Sequence, residues 1–301
     1  MTVQATPSPR LESRLAQYNR APYVALLTVA TILLWKALAH SLSVLLDHIF
    51  PGGQMIAVGA VMGIAGFALI WNGFKRDEVP ATLMGFAGGS LIWIGWMEQA
   101  FYGFAELQQI PPYEWQGFTL LTPNLLLMQA TLVPFLVLLI FMGANKDTRC
   151  RMFLWFHRNL RIRPGKPTQG YKRQFSRITA MEHLFVTWFF YVLNIMLFDP
   201  RVLGPFHPAT YAAFGITLVW GGYLWFIKMW PQKAMGYAFR YAIPTGSALW
   251  LAVEMASLWQ WIKEIWLYPL QYPLAMSFML AIFIACFGAI YAIPKAASAR
   301  S

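Results

Sequence analysis

Residues Ala21 to Leu46 read APYVALLTVATILLWKALAHSLSVLL, an apolar run with one lysine, Lys36, near its middle. At about 1.5 Å per residue, this run is long enough to cross a hydrocarbon layer about 30 Å thick as a helix. It predicts a transmembrane helix with the Lys36 ammonium roughly 15 Å below the far end. Even lenient insertion scales charge about 2.5–3.5 kcal/mol for a central lysine, so the side chain needs a partner inside the protein. Two deep carboxylates are available, Glu98 and Glu254. His40, Ser43 and Asp47 follow Lys36 at helical spacing and share its stripe, which lipid cannot cover cheaply.

The same pattern continues along the chain. Hydrophobic residues make up 58% of it and charged residues 12%, against about 25% charged in soluble domains. Mean hydropathy is +0.49. The charges are bunched between apolar runs, which predicts eight spans at roughly 21–46, 55–74, 80–104, 123–143, 181–199, 209–229, 237–262 and 270–293. The expected fold is an all-α, polytopic membrane helix bundle. Residues 1–143 form one membrane half with a cytoplasmic tail, 144–180 a basic cytoplasmic loop, and 181–301 a second membrane half.

Basic residues give the orientation. With the N-terminus inside, 20 of the 23 Lys and Arg are cytoplasmic: Arg10, Arg14, Arg20, Lys75, Arg76, ten from Lys146 to Arg177, Lys228, Lys233, Arg240, Lys295 and Arg300. Arg201 and Lys263 face outward, and Lys36 lies within the membrane. The twelve acidic residues divide evenly, with Glu98 and Glu254 in between. An even number of spans with both termini cytoplasmic satisfies the positive-inside rule. The expected location is a bacterial inner membrane. The net charge of +11 is then topological and argues for membrane lipids as partners, not nucleic acid. Trp35 and Lys36 directly before Ala37-Leu38-Ala39 argue against signal cleavage there.

The two halves read as a repeat. Residues 63–104 and 215–262 correspond at an offset of 157, matching Gly89-Ser90 with Gly246-Ser247, Trp93 with Trp250 and Arg76 with Lys233. Glu98 then falls on Met255, one position past Glu254. Four spans per repeat would give parallel halves about an axis along the membrane normal, bringing the third and seventh spans together with their glutamates.

Lys36, His40, Glu98 and Glu254 lie within a slab about 6 Å deep. If Lys36 neutralises one glutamate, the other must take a proton, share one, or bind a cation. A proton-coupled carrier, a metal site with His40, and inert structural glue therefore all remain open. A second stripe of His183, Thr187, Tyr191 and Asn194 runs along the fifth span. At the outer surface, Asp47, His48, Asp199 and His207 form a candidate metal set, and haem has no pair of deep histidines to hold it. Cys150 and Cys286 lie at different depths, so a disulfide between them is not expected.

Other features are less specific. Gly59, Gly63 and Gly66, and Gly85, Gly88 and Gly89, make small faces suited to close helix packing, and Pro134, Pro244 and Pro273 are candidate kinks. Met152 to Arg163 alternates large apolar and basic residues before Pro164-Gly165, a pattern for a helix in the headgroup layer or a docking surface. Trp93, Trp96, Trp188 and Trp250 lie inside spans and either fill a core or line a groove for a lipid or quinone. Walker, Rossmann, HExxH and histidine-box patterns are absent. The leading expectation is a non-catalytic membrane subunit of a larger complex. The alternatives are a proton- or cation-coupled transporter built on the Lys36 cluster, and a membrane metalloenzyme.

Overall fold

The computed structural model describes residues 15–298 except Gly52, Gln116, Gly117 and Arg149. Arg10, Arg14, Arg149 and Arg300 of the charge count therefore lie outside the described residues. Among the described residues the regular structure is helical apart from one short hairpin. In order it forms α1 (Tyr23–Ile49), α2 (Gly53–Asn72), α3 (Glu78–Leu107), β1 (Tyr113–Trp115), β2 (Phe118–Leu121), α4 (Pro123–Gln129), α5 (Leu132–Ala144), α6 (Arg151–Asn159), α7 (Phe175–Phe198), α8 (Pro208–Met229), α9 (Met235–Leu258) and α10 (Pro273–Ser298).

Six of the described helices are long and apolar enough to cross a membrane: α1, α2, α3, α7, α8 and α10. A seventh span results if α4 and α5, bent by 44°, are counted together. The bend has a local cause. Pro134 has no N–H to return to the carbonyl of Ala130, four residues back, and the helix breaks there. Thr131 occupies the break, bonding back to the Met128 carbonyl (2.6 Å) and accepting the Trp188 indole N–H (2.8 Å). At 24 residues, α9 has the length of a span but is less apolar, carrying Arg240 and Glu254.

The helices sort into two shells. Of the most apolar window, 61% is buried in α3 and 50% in α7, against 11% in α8 and 17% in α10. The inner group is α1, α3, α7 and α9: α3 packs on α7, α9 packs on α1, and α9 also meets α7. Around it, α2 lies along α3, α8 along α9 and α10 along α1. Val24, Ile32, Phe86, Phe239, Ile243 and Ile290 form the central core. Rows of exposed apolar side chains on α2, α8 and α10, such as Ile64, Val219 and Leu274, have the composition of a lipid-facing surface.

Two glycine faces set the inner spacing. A Cβ at Gly59 would lie 2.4 Å from the Gly95 carbonyl, and one at Gly66 2.5 Å from that of Gly88, so α2 and α3 touch backbone to backbone. Gly85 and Gly89 face the other way: a Cβ at Gly85 would fall 2.2 Å from the Ser176 carbonyl of α7. The sequence's single small face on α3 is thus split between two neighbours. Helix α6 buries Phe153 and ends at Asn159, four residues short of the end of the alternating stretch, where Arg161 adopts a left-handed φ of 55°.

Candidate functional site

Lys36, His40, Glu98, His183, Thr187, Tyr191 and Glu254 surround one cavity of about 30 Å³. They come from all four inner helices: α1 supplies Lys36 and His40, α3 Glu98, α7 His183, Thr187 and Tyr191, and α9 Glu254. The cavity has room for about one or two waters and is far below the few hundred Å³ that an organic ligand needs. Lys36 and His40 of one stripe and His183, Thr187 and Tyr191 of the other therefore open onto the same space, whereas Ser43, Asp47 and Asn194 do not line it.

Each glutamate is held from two sides. Glu98 accepts the Trp93 indole N–H on Oε1 (2.7 Å) and the Ser43 hydroxyl on Oε2 (2.5 Å). Glu254 accepts the Trp250 indole N–H on Oε1 (2.6 Å) and the Asn194 amide on Oε2 (3.3 Å). His40 Nε2 lies 3.2 Å from Glu254 Oε1, an ion pair when the imidazole is protonated, with its ring stacked on Trp250 at 5.9 Å. Tyr191 meets Trp93 edge-on at 5.6 Å. The two tryptophans are hydrogen-bond donors to the carboxylates, a role that the sequence showed only as Trp–Glu spacings of 5 and 4.

Those unequal spacings have a backbone explanation. Trp93–Gln99 is a π-helical segment, whereas Trp250 to Glu254 lies in regular α-helix. The wider turns absorb one extra residue, so Glu98, five past its tryptophan, meets the indole as Glu254 does four past its own. The misfit of one position at the 157-residue offset is therefore taken up within α3.

Lys36 departs from expectation. Its Nζ donates to Thr187 Oγ1 at 3.1 Å, and none of the three ion pairs among the described residues includes it. Neither glutamate is its direct partner, because Trp, Ser, Asn and His groups already hold both carboxylates. Lys36 and Thr187 are 151 residues apart. The same separation relates His40 to Tyr191 and Ser43 to Asn194, each pair standing alike toward its own tryptophan–glutamate unit.

Two orphaned atoms border this arrangement. His183 bonds Ser90 through Nε2 (3.1 Å), but its Nδ1, although buried, has no partner. Asn194 Oδ1 is likewise buried without a donor. Glu264, not singled out from the sequence, lies near His40 and Glu254 in the loop between α9 and α10. Burial pushes its carboxyl above the ordinary range, His40 pulls it back, and Glu254 pushes it further.

Among the described residues, no three metal-ligating side chains come together to hold an ion. This bears on the outer set of Asp47, His48, Asp199 and His207. The Asp199 carboxylate is engaged by Arg201 (2.6 Å) and Gln129 (2.6 Å), and His207 Nδ1 caps α8 by accepting the Ala209 N–H (3.1 Å). At the inner ends of the helices, the sequence reading missed two further polar contacts. Arg240 binds Glu78 (2.5 Å) and Thr82 (2.7 Å), and buried Glu182 accepts the Arg151 backbone N–H (3.3 Å).

Comparison with protein-family models, with curated proteins and with solved structures finds no match to this chain.

Proposed function

We propose that this protein is a proton- or cation-coupled carrier whose ion-binding core is Glu98, Glu254, His40 and Lys36. The observation that carries the proposal is the convergence of these groups, from three helices, on one water-sized cavity deep in the bundle. Inert polar contacts between helices have no need of a shared void bordered by an unpartnered imidazole nitrogen. The cavity takes the coupling ion and has no room for a quinone or other organic ligand.

In this reading α9 is the eighth span, its charges turned inward, and the chain is two four-span halves. The 157-residue correspondence of α3 with α9 and the 151-residue correspondence of α1 with α7 support the repeat. The alternating packing of α3 on α7 and of α9 on α1 agrees with an axis between them. The distribution of Lys and Arg supports cytoplasmic termini and a bacterial inner membrane.

A second reading, a structural subunit of a membrane complex, draws on the exposed apolar faces of α2, α8 and α10, which partner subunits could cover as well as lipid. One experiment separates the two. The purified protein is reconstituted into vesicles, and proton movement is followed with an entrapped pH indicator and sodium exchange with ²²Na⁺. The carrier reading expects Glu98→Gln and Glu254→Gln to accumulate normally and lose ion movement. Lost abundance, with ion movement unchanged per molecule, would favour the subunit.

A further inference from the structure

We infer that the cavity holds one exchangeable monovalent cation, and that Lys36 is a built-in substitute for a second. The inference rests on the carrier reading and specifies its stoichiometry. The ionisable groups lining the cavity are Lys36, His40, Glu98, His183, Tyr191 and Glu254, with Glu264 nearby in the loop between α9 and α10. Two carboxylates face one obligate cation, so one negative charge is left to be balanced by something that comes and goes. The volume, about 30 Å³, admits a proton on His40 or a carboxyl, or one small ion with about one water.

The geometry assigns this role to Lys36 through its counterpart. Glu98 and Glu254 share two kinds of partner, an indole N–H from the preceding turn and a polar side chain, Ser43 or Asn194, from positions 151 residues apart, and Glu254 also meets His40, whose proton is exchangeable. The pair at the centre is unequal. Lys36 stands on α1 where α7 has Thr187, and the ammonium donates to that hydroxyl, clear of both carboxylates. Two glutamates flanked by two threonines would need two exchangeable cations, a proton on His40 counting as one. A lysine on one side fixes one of these charges covalently and leaves one site to fill. Two further buried atoms are without a protein partner, Nδ1 of His183, which lines the cavity, and Oδ1 of Asn194 beside Glu254.

The test counts cations on the purified full-length protein and two variants. Saturation binding of ²²Na⁺ provides the first count, and infrared bands of protonated groups, the C=O stretch of carboxyls and the imidazolium ring modes of His40, provide the second. The expected counts are one for the wild type, two for Lys36→Thr and none for Thr187→Lys, where two fixed ammonium groups satisfy both carboxylates. If sodium gives this series the exchangeable ion is sodium, and if only the infrared bands of protonated groups give it the ion is a proton. Both results support the inference. Equal counts in wild type and Lys36→Thr by both methods would overturn it, and Lys36→Thr suffices if Thr187→Lys does not fold. A failed count alongside ion movement that still depends on Glu98 and Glu254 would remove the substitution by Lys36 and leave the carrier reading standing.

Discussion

Gly85→Ala adds one methyl group where α3 touches α7, and its cost follows from the backbone geometry. The new Cβ would lie 2.2 Å from the Ser176 carbonyl oxygen and 2.7 Å from its Cα. Ordinary van der Waals contact needs more than 3.4 Å, and both atoms are main chain, so no rotamer change relieves the overlap. The helices must separate by about 1 Å, loosening Phe86 and the contact of Ser90 with His183 one turn further along. Overpacking of this kind costs about 1–3 kcal/mol. An overlap with main chain lies at the upper end of that range, and alanine recovers about 0.5–1 kcal/mol of helix propensity, so the net loss is about 2 kcal/mol. Gly222→Ala in α8 is the control, because nothing lies within 4 Å of its added Cβ. Melting of the detergent-solubilised protein, followed by tryptophan fluorescence, should show Gly85→Ala several degrees below wild type and Gly222→Ala equal to it or slightly above. A wild-type melting temperature for Gly85→Ala would refute the close packing of α3 on α7, and with it the placement of Glu98 and His183 around one cavity.

Three further outcomes are expected. Asp199 is held below the ordinary carboxylate range: burial raises it, but the hydrogen bonds from Arg201 and Gln129 outweigh that. Its stabilisation is present above the ordinary aspartate value of 3.8 and fades as pH falls through the lower folded value. Asp199→Asn should therefore melt lower at neutral pH, by about 1 kcal/mol or less because Arg201 is half-exposed, and converge with wild type in acid. Arg240→Met should destabilise by about 1–3 kcal/mol by leaving Thr82 and partly exposed Glu78 without their guanidinium. Arg240→Lys should recover only part of this, since one ammonium cannot reproduce the fork. Burial, and then Glu182, hold the Cys150 thiol above its ordinary range, so a maleimide should label it only after denaturation; prompt labelling of the native protein would contradict its burial.

Much of this arrangement was legible in the sequence for physical reasons. Apolar runs bounded by charge gave the helices, because a single long apolar segment in lipid satisfies its backbone within itself only as a helix. The stripe of Lys36 and His40 and the stripe of His183, Thr187 and Tyr191 were visible as helical spacing, and they share a cavity because both must avoid lipid. The partners were harder to read. A carboxylate seemed the obvious mate for Lys36, but Trp93 and Trp250 had already claimed both, and tryptophan in an apolar span reads as filler. The π segment at Trp93–Gln99 has no compositional mark; only the one-residue misfit between Glu98 and Glu254 hinted at it. The hairpin at Tyr113–Leu121 and the contact of Arg240 with Glu78 depend on loops and helix ends, whose pairing no periodicity encodes.

The most direct test of the central claim is transient charge displacement on a solid-supported membrane after a pH jump or a sodium jump, with no added substrate. An ion entering a buried site crosses part of the membrane field, so the wild type should give a saturable transient that Glu98→Gln and Glu254→Gln, folded and at equal density, reduce to the level of protein-free membranes. Transients of wild-type size in both variants would mean that the ion binds elsewhere and that the cluster between α1, α3, α7 and α9 only holds the bundle together.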